Sequence, residues 1–372
     1  MASTNHALVF LKPHAVSDKA EGFVRGYLGS KNIAIDCCFD IVSEDIDKRQ
    51  LIDAHYGGLA QRAMHIAPAD LTISAEASAG FAAKFGGVTW ESVIAAGTAM
   101  NCTGLDVADL APNTLEKLWR AGTVMKLAGG LYVSRFPSPL DTTRDIYVVN
   151  GFYPSMRAQF TAPGDRVRVF RVSWADNGSL PWATFRNDFV GATDPAKAHP
   201  TSLRGLAFQN WAEMGLSAQP FGAENFLHAS AGPVEAVHER RIWCLDAGLA
   251  ASMHDSHQGT DPFLFEAVAV LRHRLQSEGT EVAAALVKVA RSLLNDWVRD
   301  TQIDVHGETG GAFDMTEGMD SQAVLELLIE CARAQTTASV QLSLPQCAQQ
   351  QPSSCKLATA PLAPLAVANN AV

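Results

Sequence analysis

Apolar residues recur at two different periods along this chain, and the switches between them mark out its elements. Residues 7–12 read Ala-Leu-Val-Phe-Leu-Lys, the unbroken apolar run of a short buried strand. Pro13 ends it, because proline has no N–H to give to a ladder. A helix is expected from about Glu21 to Lys31, with Phe23, Tyr27 and Leu28 on one side. Ile33, Ile35, Cys37, Phe39 and Ile41 then fall at every second position, the period of a strand with two unlike faces. Cys37 and Cys38 would point to opposite faces, so no bond between them is expected. Asp45 to Ala54 begins a helix running toward Tyr56.

The pattern changes from about His65 to Asp145, where Ala, Gly and Ser dominate. Asn113-Thr-Leu-Glu116 has the spacing of a capping box and leads into Leu118 and Trp119. Leu131 to Val133 is strand-like, and Phe136-Pro-Ser-Pro139 reads as a turn. The stretch is expected to be an insertion or a small, mainly helical subdomain. Strands are expected at Ile146–Val149, at Val167–Trp174 and, shorter, at Asn225–His228. Trp182 to Phe189 reads as helix. Pro233 suits the first turn of another helix, with Val234, Val237 and Ile242 turned inward. Beyond Leu245 the period is helical, at Phe263–Leu275, Val282–Val298 and Ser321–Ala334. Residues 335–372 hold few charges and many Gln, Pro, Ser and Ala, and are expected to be disordered.

Composition narrows the function classes. The chain has 372 residues, enough for two or three domains, and 47% of them are apolar, ample for a packed core. A net charge of −10 argues against a dedicated nucleic-acid binder, whose affinity rests on Lys and Arg. No apolar run is long enough for a membrane span, so no membrane contact is expected. Ala7–Leu11 is too short for a signal peptide. Seven scattered Cys with no C-x-x-C pair make neither a disulfide framework nor a zinc site, which fits a reducing cytoplasm. His254 and His257 lack a third ligand nearby, so no metal site is expected there.

Neither a P-loop nor a G-x-G-x-x-G fingerprint occurs. The chemistry-bearing residues are instead scattered: Lys12, Tyr56, Arg186, Thr193, Arg204, Asn225, His228, Ser230 and Glu239. They offer three cations, a phenol, two hydroxyls, an amide, an imidazole and a carboxylate. Cations and donors around a nucleophile suit phosphoryl transfer.

In these stretches the sequence resembles the nucleoside diphosphate kinases. The family's Lys-Pro-Asp-Gly-Val stands here as Lys12-Pro13-His14-Ala15-Val16, and its His-Tyr pair as His55-Tyr56, with Arg62 downstream. Its Gly-Ala-Thr-Asn-Pro-Ala loop stands as Gly191-Ala192-Thr193-Asp194-Pro195-Ala196. Its Pro-Gly-Thr-Ile-Arg-Gly stretch stands as Pro200-Thr201-Ser202-Leu203-Arg204-Gly205. Its Asn-x-x-His-Gly-Ser-Asp signature stands as Asn225-Phe226-Leu227-His228-Ala229-Ser230-Ala231. Glu239 and Trp243 follow at the family's spacing.

The resemblance implies an α/β (α+β) fold, a ferredoxin-like sandwich with an antiparallel sheet. It covers 1–66 and 146–245, leaving 67–145 as an insertion and 246–334 as a helical extension. It implies His228 as the nucleophile that passes a γ-phosphate between nucleotides, Glu239 orienting its ring, and Ser230 buttressing the pair. Lys12, Arg186 and Arg204 would neutralise phosphate, and Tyr56, Thr193 and Asn225 would donate hydrogen bonds. ATP and other nucleoside di- and triphosphates would be the partners, with Mg²⁺ carried by their phosphates, and a homo-oligomer is compatible. The chain departs from the family at His14, Ala15, Ala229 and Ala231, and has Met64 where an aromatic base clamp is usual. Those departures leave open a second reading, a nucleotide-binding or scaffold protein without catalysis. A kinase for a different phosphate acceptor is a third.

Overall fold

A computed structural model describes residues 4–105, 111–139, 141, 143–222, 224–246, 275, 280–296, 301–305 and 308–342. Two of the sequence expectations, the helix at Phe263–Leu275 and the His254/His257 pair, lie outside these residues apart from Leu275; so does the tail beyond residue 342. The strands through residue 229 are β1 (Thr4–Leu11), β2 (Ala34–Val42), β3 (Ala99–Met100), β4 (Thr123–Ala128), β5 (Leu131–Pro137), β6 (Asp145–Val149), β7 (Arg166–Ala175) and β8 (Leu227–Ala229). The main sheet has the order β2-β7-β1-β8 and every pairing in it is antiparallel. A helix, Asp18–Ser30, connects β1 to β2, and helical segments at Trp182–Val190 and Leu203–Gln209 lie between β7 and β8. This β-α-β-β-α-β wiring is a ferredoxin-like α/β sandwich.

From Ala7 to Leu11 β1 is buried on both faces, which is why that run is apolar throughout rather than alternating. Ala7, Val9 and Leu11 pack with Val24 and Leu28 of the first helix and with Phe185 and Leu203. Leu8 and Phe10 turn the other way, onto Ile46, Ile52, Phe160 and Trp243. Phe10 is fully buried, and burial of a side chain of that size contributes about 1.5–3 kcal/mol. β2 is an edge strand, more exposed, with its register shifted between Ile35 and Cys37. The chain after it does not form one helix. Ser43–Lys48 and Leu51–Tyr56 are separate, because Gln50 takes a left-handed φ of 53° between them.

The inserted stretch is helical at Pro112–Ala121, near the expected place, and also at Ala75–Lys84 and Trp90–Ala95, and it contributes to a second sheet, ordered β3-β6-β5-β4. β6, the Ile146–Val149 strand, pairs in this second sheet. The Asn113–Glu116 capping box does not form. The helix starts one residue earlier, on Pro112, with Ala111 as an N-cap that makes no side-chain hydrogen bond. Proline at that position carries no N–H in need of a cap. Asn150 ties this sheet to the neighbouring helix Gly58–Met64: its Nδ2 donates to Leu59 O at 3.2 Å, and its Oδ1 accepts from Tyr132 N at 2.9 Å.

The C-terminal part is more than helices. Gln302–Val305 and Glu308–Gly311 pair as a hairpin beside the helices Thr280–Asp296 and Ser321–Leu342. Val234 and Val237, expected to turn inward, are buried, and what they pack on is this extension, with Leu294, Phe313 and Leu328. Ile242 alone of the three faces the main sheet core. Among the described residues no helix is long and apolar enough to cross a membrane.

Candidate active site

β8 carries His228 opposite Phe10 of β1, and the two rings stack at 4.9 Å. The helix Pro233–Arg240 returns over the strand and brings Glu239 back to the imidazole. His228 Nε2 lies 2.6 Å from Glu239 Oε1. Ser230 Oγ–H donates to Glu239 Oε2 at 2.6 Å and accepts from Leu8 N–H at 3.0 Å. Glu239 is 1% exposed, so its charge must be met by such partners rather than by water. An ionised Glu239 takes the N–H of Nε2 and leaves the lone pair on Nδ1.

His55 stands edge-on to His228, with ring centroids 4.6 Å apart. Trp243 Nε1–H donates to His55 Nδ1 at 3.2 Å, which fixes the proton of a neutral His55 on Nε2. The 3.5 Å approach of His55 Nδ1 to Glu239 Oε1 is then a contact between two acceptors, not an ion pair. Ligand atoms of His55, His228 and Glu239 all lie within 4.8 Å of one another. The 2.6 Å between His228 and Glu239 is, however, hydrogen-bond spacing. Two ligands on one tetrahedral ion at about 2.0–2.1 Å would stand over ~3 Å apart.

A cleft of about 490 Å³ opens in front of His228. Every residue singled out in the sequence except Glu239 lines it: Lys12, Tyr56, Arg186, Thr193, Arg204, Asn225, His228 and Ser230. Glu239 lies behind the ring it holds. Lys12, at the end of β1, is pulled down to about 7, first by burial and then by Arg204, with Glu224 opposing. Arg204 is lowered to about 10, first by burial and then by Arg186, and so stays charged at neutral pH. Its Nη1 donates to Gly191 O at 2.8 Å and its Nη2 to Leu227 O at 3.0 Å. Arg204 therefore also clamps the Gly191 loop to β8. Its Nε and the Oδ1 of Asn225 are buried with no hydrogen-bond partner among the described residues. Orphans of this kind in a cleft wall are groups for a ligand to satisfy. Asn225 Nδ2 donates to Thr193 O at 2.9 Å.

Several residues given no role from the sequence support the cleft from behind its lining. His14 stands where the family has Asp, and its Nε2 accepts the Phe226 N–H at 3.3 Å, as a carboxylate could. Burial and then Lys12 push its pKa down to about 4, which keeps that acceptor free of a proton. Phe226 has a φ of 78°, a costly conformation for a bulky residue, held by its fully buried ring. Lys12 N–H donates to Phe226 O at 3.1 Å, so both sides of the strained residue are tied down two positions before His228. Met64 is not among the cleft residues and packs with the insertion. Arg62 donates to Gly129 O at 2.8 Å, in the β4–β5 turn. Among the described residues, none from 67–145 lines the cleft, whereas Phe313, Asp314 and Glu317 of the C-terminal part do.

A sequence-remote imidazole on a buried carboxylate, facing cations across a cleft, is equipped for nucleophilic or acid–base chemistry on an anion. No protein-family model matches this chain. No curated protein matches it either. Among solved structures, a nucleoside diphosphate kinase from Encephalitozoon cuniculi is 11% identical at TM-score 0.32, covering 64% of this chain and 88% of that one. A nucleoside-diphosphate kinase from Borrelia burgdorferi, solved with vanadate and ADP, is 16% identical at TM-score 0.29, covering 64% and 86%. An NDP kinase from Pyrobaculum aerophilum is also 16% identical at 0.29, covering 70% and 100%. These are distant likenesses of fold.

Proposed function

We propose that this chain is a phosphotransferase of the nucleoside diphosphate kinase type, working through a phosphohistidine on His228. The observation that carries the reading is the engagement of His228 Nε2 by buried Glu239 at 2.6 Å, on the wall of a cleft lined by Lys12, Arg186 and Arg204. With Nε2 so held, the Nδ1 lone pair attacks the γ-phosphorus of a nucleoside triphosphate. The bond from that phosphorus to the β–γ bridging oxygen breaks, and its electron pair leaves with the nucleoside diphosphate. The phosphorylated imidazole keeps its proton on Nε2, hydrogen-bonded to the Glu239 carboxylate. A terminal oxygen of a second nucleoside diphosphate then attacks the same phosphorus and releases the ring. Lys12 and Arg204 spread the charge on the transferred group, and Asn225 Oδ1 is placed to accept from a ribose hydroxyl.

Mg²⁺ fits this cleft as an ion carried by the nucleotide, where it would neutralise phosphate charge. The carboxylates of Glu235 and Asp314 in the cleft wall have the oxygen chemistry to meet it through water. Labelling with γ-labelled ATP and Mg²⁺ tests the proposal. Wild type is expected to take label that GDP chases off, and His228→Ala to take none. A second reading, nucleotide binding without transfer, draws on Glu317, whose carboxylate already occupies Arg186. Mg-ATP binding by calorimetry with no label on wild type would establish that reading instead.

A further inference from the structure

The C-terminal segment reaches back into the cleft. The short helix Ala312–Thr316 and the turn after it supply Phe313, Asp314 and Glu317 to the wall that also holds His228 and Arg186. The segment is anchored at several points. Gly318 N–H donates to Ala231 O at 2.9 Å, three residues past His228. Asp320 Oδ1 accepts the Trp182 N–H at 2.9 Å, and Ser321 Oγ–H donates to Asn5 Oδ1 at 2.6 Å. Thr316 O lies so near Gly232 that a Cβ there would stand 2.8 Å from it. Held in this way, the Glu317 carboxylate meets the guanidinium of Arg186 through Nη2.

We propose that Glu317 is an affinity-setting residue of the cleft: a built-in counter-ion that holds Arg186 when no ligand is bound and that a phosphate must displace. The inference rests on the reading of the cleft as a nucleotide site. A carboxylate and a phosphate cannot both have the same face of one guanidinium, so each bound phosphate pays back the resting pair. Arg186 is 43% exposed and Glu317 29%, so the pair is screened and displaceable rather than locked. The cost of breaking the pair falls alike on every ligand whose phosphate takes Arg186, so Glu317 lowers the affinity for all of them, and Mg-bound nucleotide finds the acidic wall less repulsive than free nucleotide does.

The test is calorimetry on the full chain with Mg-ADP, Mg-AMP and adenosine, for wild type, Glu317→Gln, and Glu317→Gln combined with Arg186→Gln. Glu317→Gln is expected to bind Mg-ADP about two- to fivefold more tightly, the scale of an exposed ion pair. Mg-AMP is expected to gain no more than Mg-ADP, because the pair costs each phosphate alike and the repulsion falls with ligand charge, and adenosine binding is expected to be unchanged. The gain should shrink at 0.5 M salt and vanish in the Arg186→Gln background. Equal or weaker Mg-ADP binding by Glu317→Gln, with an unchanged melting temperature, overturns the role of Glu317 and leaves the nucleotide reading standing. Failure of wild type to bind Mg-ADP at all overturns that reading, and this inference with it.

Discussion

Lys12 sits where burial and Arg204 both work against its charge, and its ammonium titrates at about 7 instead of near 10.5. Below about pH 7 the lysine is charged in both folded and unfolded chains, and the cost of the buried cation is present in full. Between about 7 and 10.5 the unfolded chain holds a proton that the folded chain has given up, so this group makes stability rise with pH there. Ligand binding has the opposite slope. A phosphate needs the charged form, so above pH 7 binding takes up a proton. Mg-ADP affinity is expected to fall by up to about tenfold per pH unit from pH 7 to 9. Calorimetry in buffers of different ionisation enthalpy reads that uptake directly, and Lys12→Met is expected to bind weakly with no such slope. Ser230 makes a second prediction at this scale. Ser230→Ala removes a hydrogen bond to buried Glu239 and strands the Leu8 N–H, and is expected to cost about 1–3 kcal/mol in denaturant unfolding. A melting curve equal to wild type would mean that Glu239 does not need the hydroxyl.

The elements of the site were legible in the sequence where local pattern decides them. β1 showed as an apolar run over residues 7–11 because both faces are buried there, and β7 showed by apolar residues interleaved with Arg166, Arg168 and Arg171. The break at Gln50 did not show, because a left-handed residue between two helical turns leaves the apolar spacing intact. Of the second sheet only Leu131–Val133 and Ile146–Val149 read as strands; β3 did not show, because it has only two residues and pairs with β6, distant in sequence. Of the site, the motif residues converge on one cleft, while the roles of His14, Phe226 and the Trp243–His55 pair depend on contacts that no spacing announces. The Gly191 turn is one local feature with a sharp consequence. Its φ is 93°, and a Cβ there would stand 2.3 Å from Ser202 Oγ, which caps the Leu203–Gln209 helix by accepting the Gly205 N–H. Gly191→Ala is expected to destabilise the fold by more than about 1 kcal/mol and to weaken Mg-ADP binding, because Arg204 is hung on the Gly191 carbonyl. Thermal unfolding and calorimetry on one preparation check both.

At the scale of the whole molecule, the insertion and the extension have different relations to the cleft. The insertion packs on the helices Gly58–Met64 and Tyr153–Thr161, and none of its described residues lines the cleft. The extension packs on the back of the Pro233–Arg240 helix, which carries Glu239, and sends Glu317 into the cleft. That arrangement was not legible beforehand, since a salt bridge between residues 186 and 317 leaves no periodic trace. It ties the extension's stability to the site. Leu328 is 1% exposed in the extension's core, and Leu328→Ala is expected to cost about 2–5 kcal/mol. Its effect on Mg-ADP affinity should follow that of Glu317→Gln, because a loosened segment releases Arg186. Tighter binding with a lowered unfolding midpoint is the expected pair of results; weaker binding would mean that the extension supports the cleft.

Under the proposed function, the geometry around His228 assigns the transfer to one nitrogen. Nε2 is on Glu239 at 2.6 Å, which leaves Nδ1 to carry the phosphoryl group. Phosphorus NMR of the protein after reaction with Mg-ATP, denatured in alkali so that phosphohistidine survives, distinguishes the two ring isomers and either from a serine ester. A single Nδ1-phosphohistidine signal, absent in His228→Ala, is the expected result. A phosphate on Nε2, on Ser230, or on no residue at all would contradict the assignment of His228 as a nucleophile oriented by Glu239.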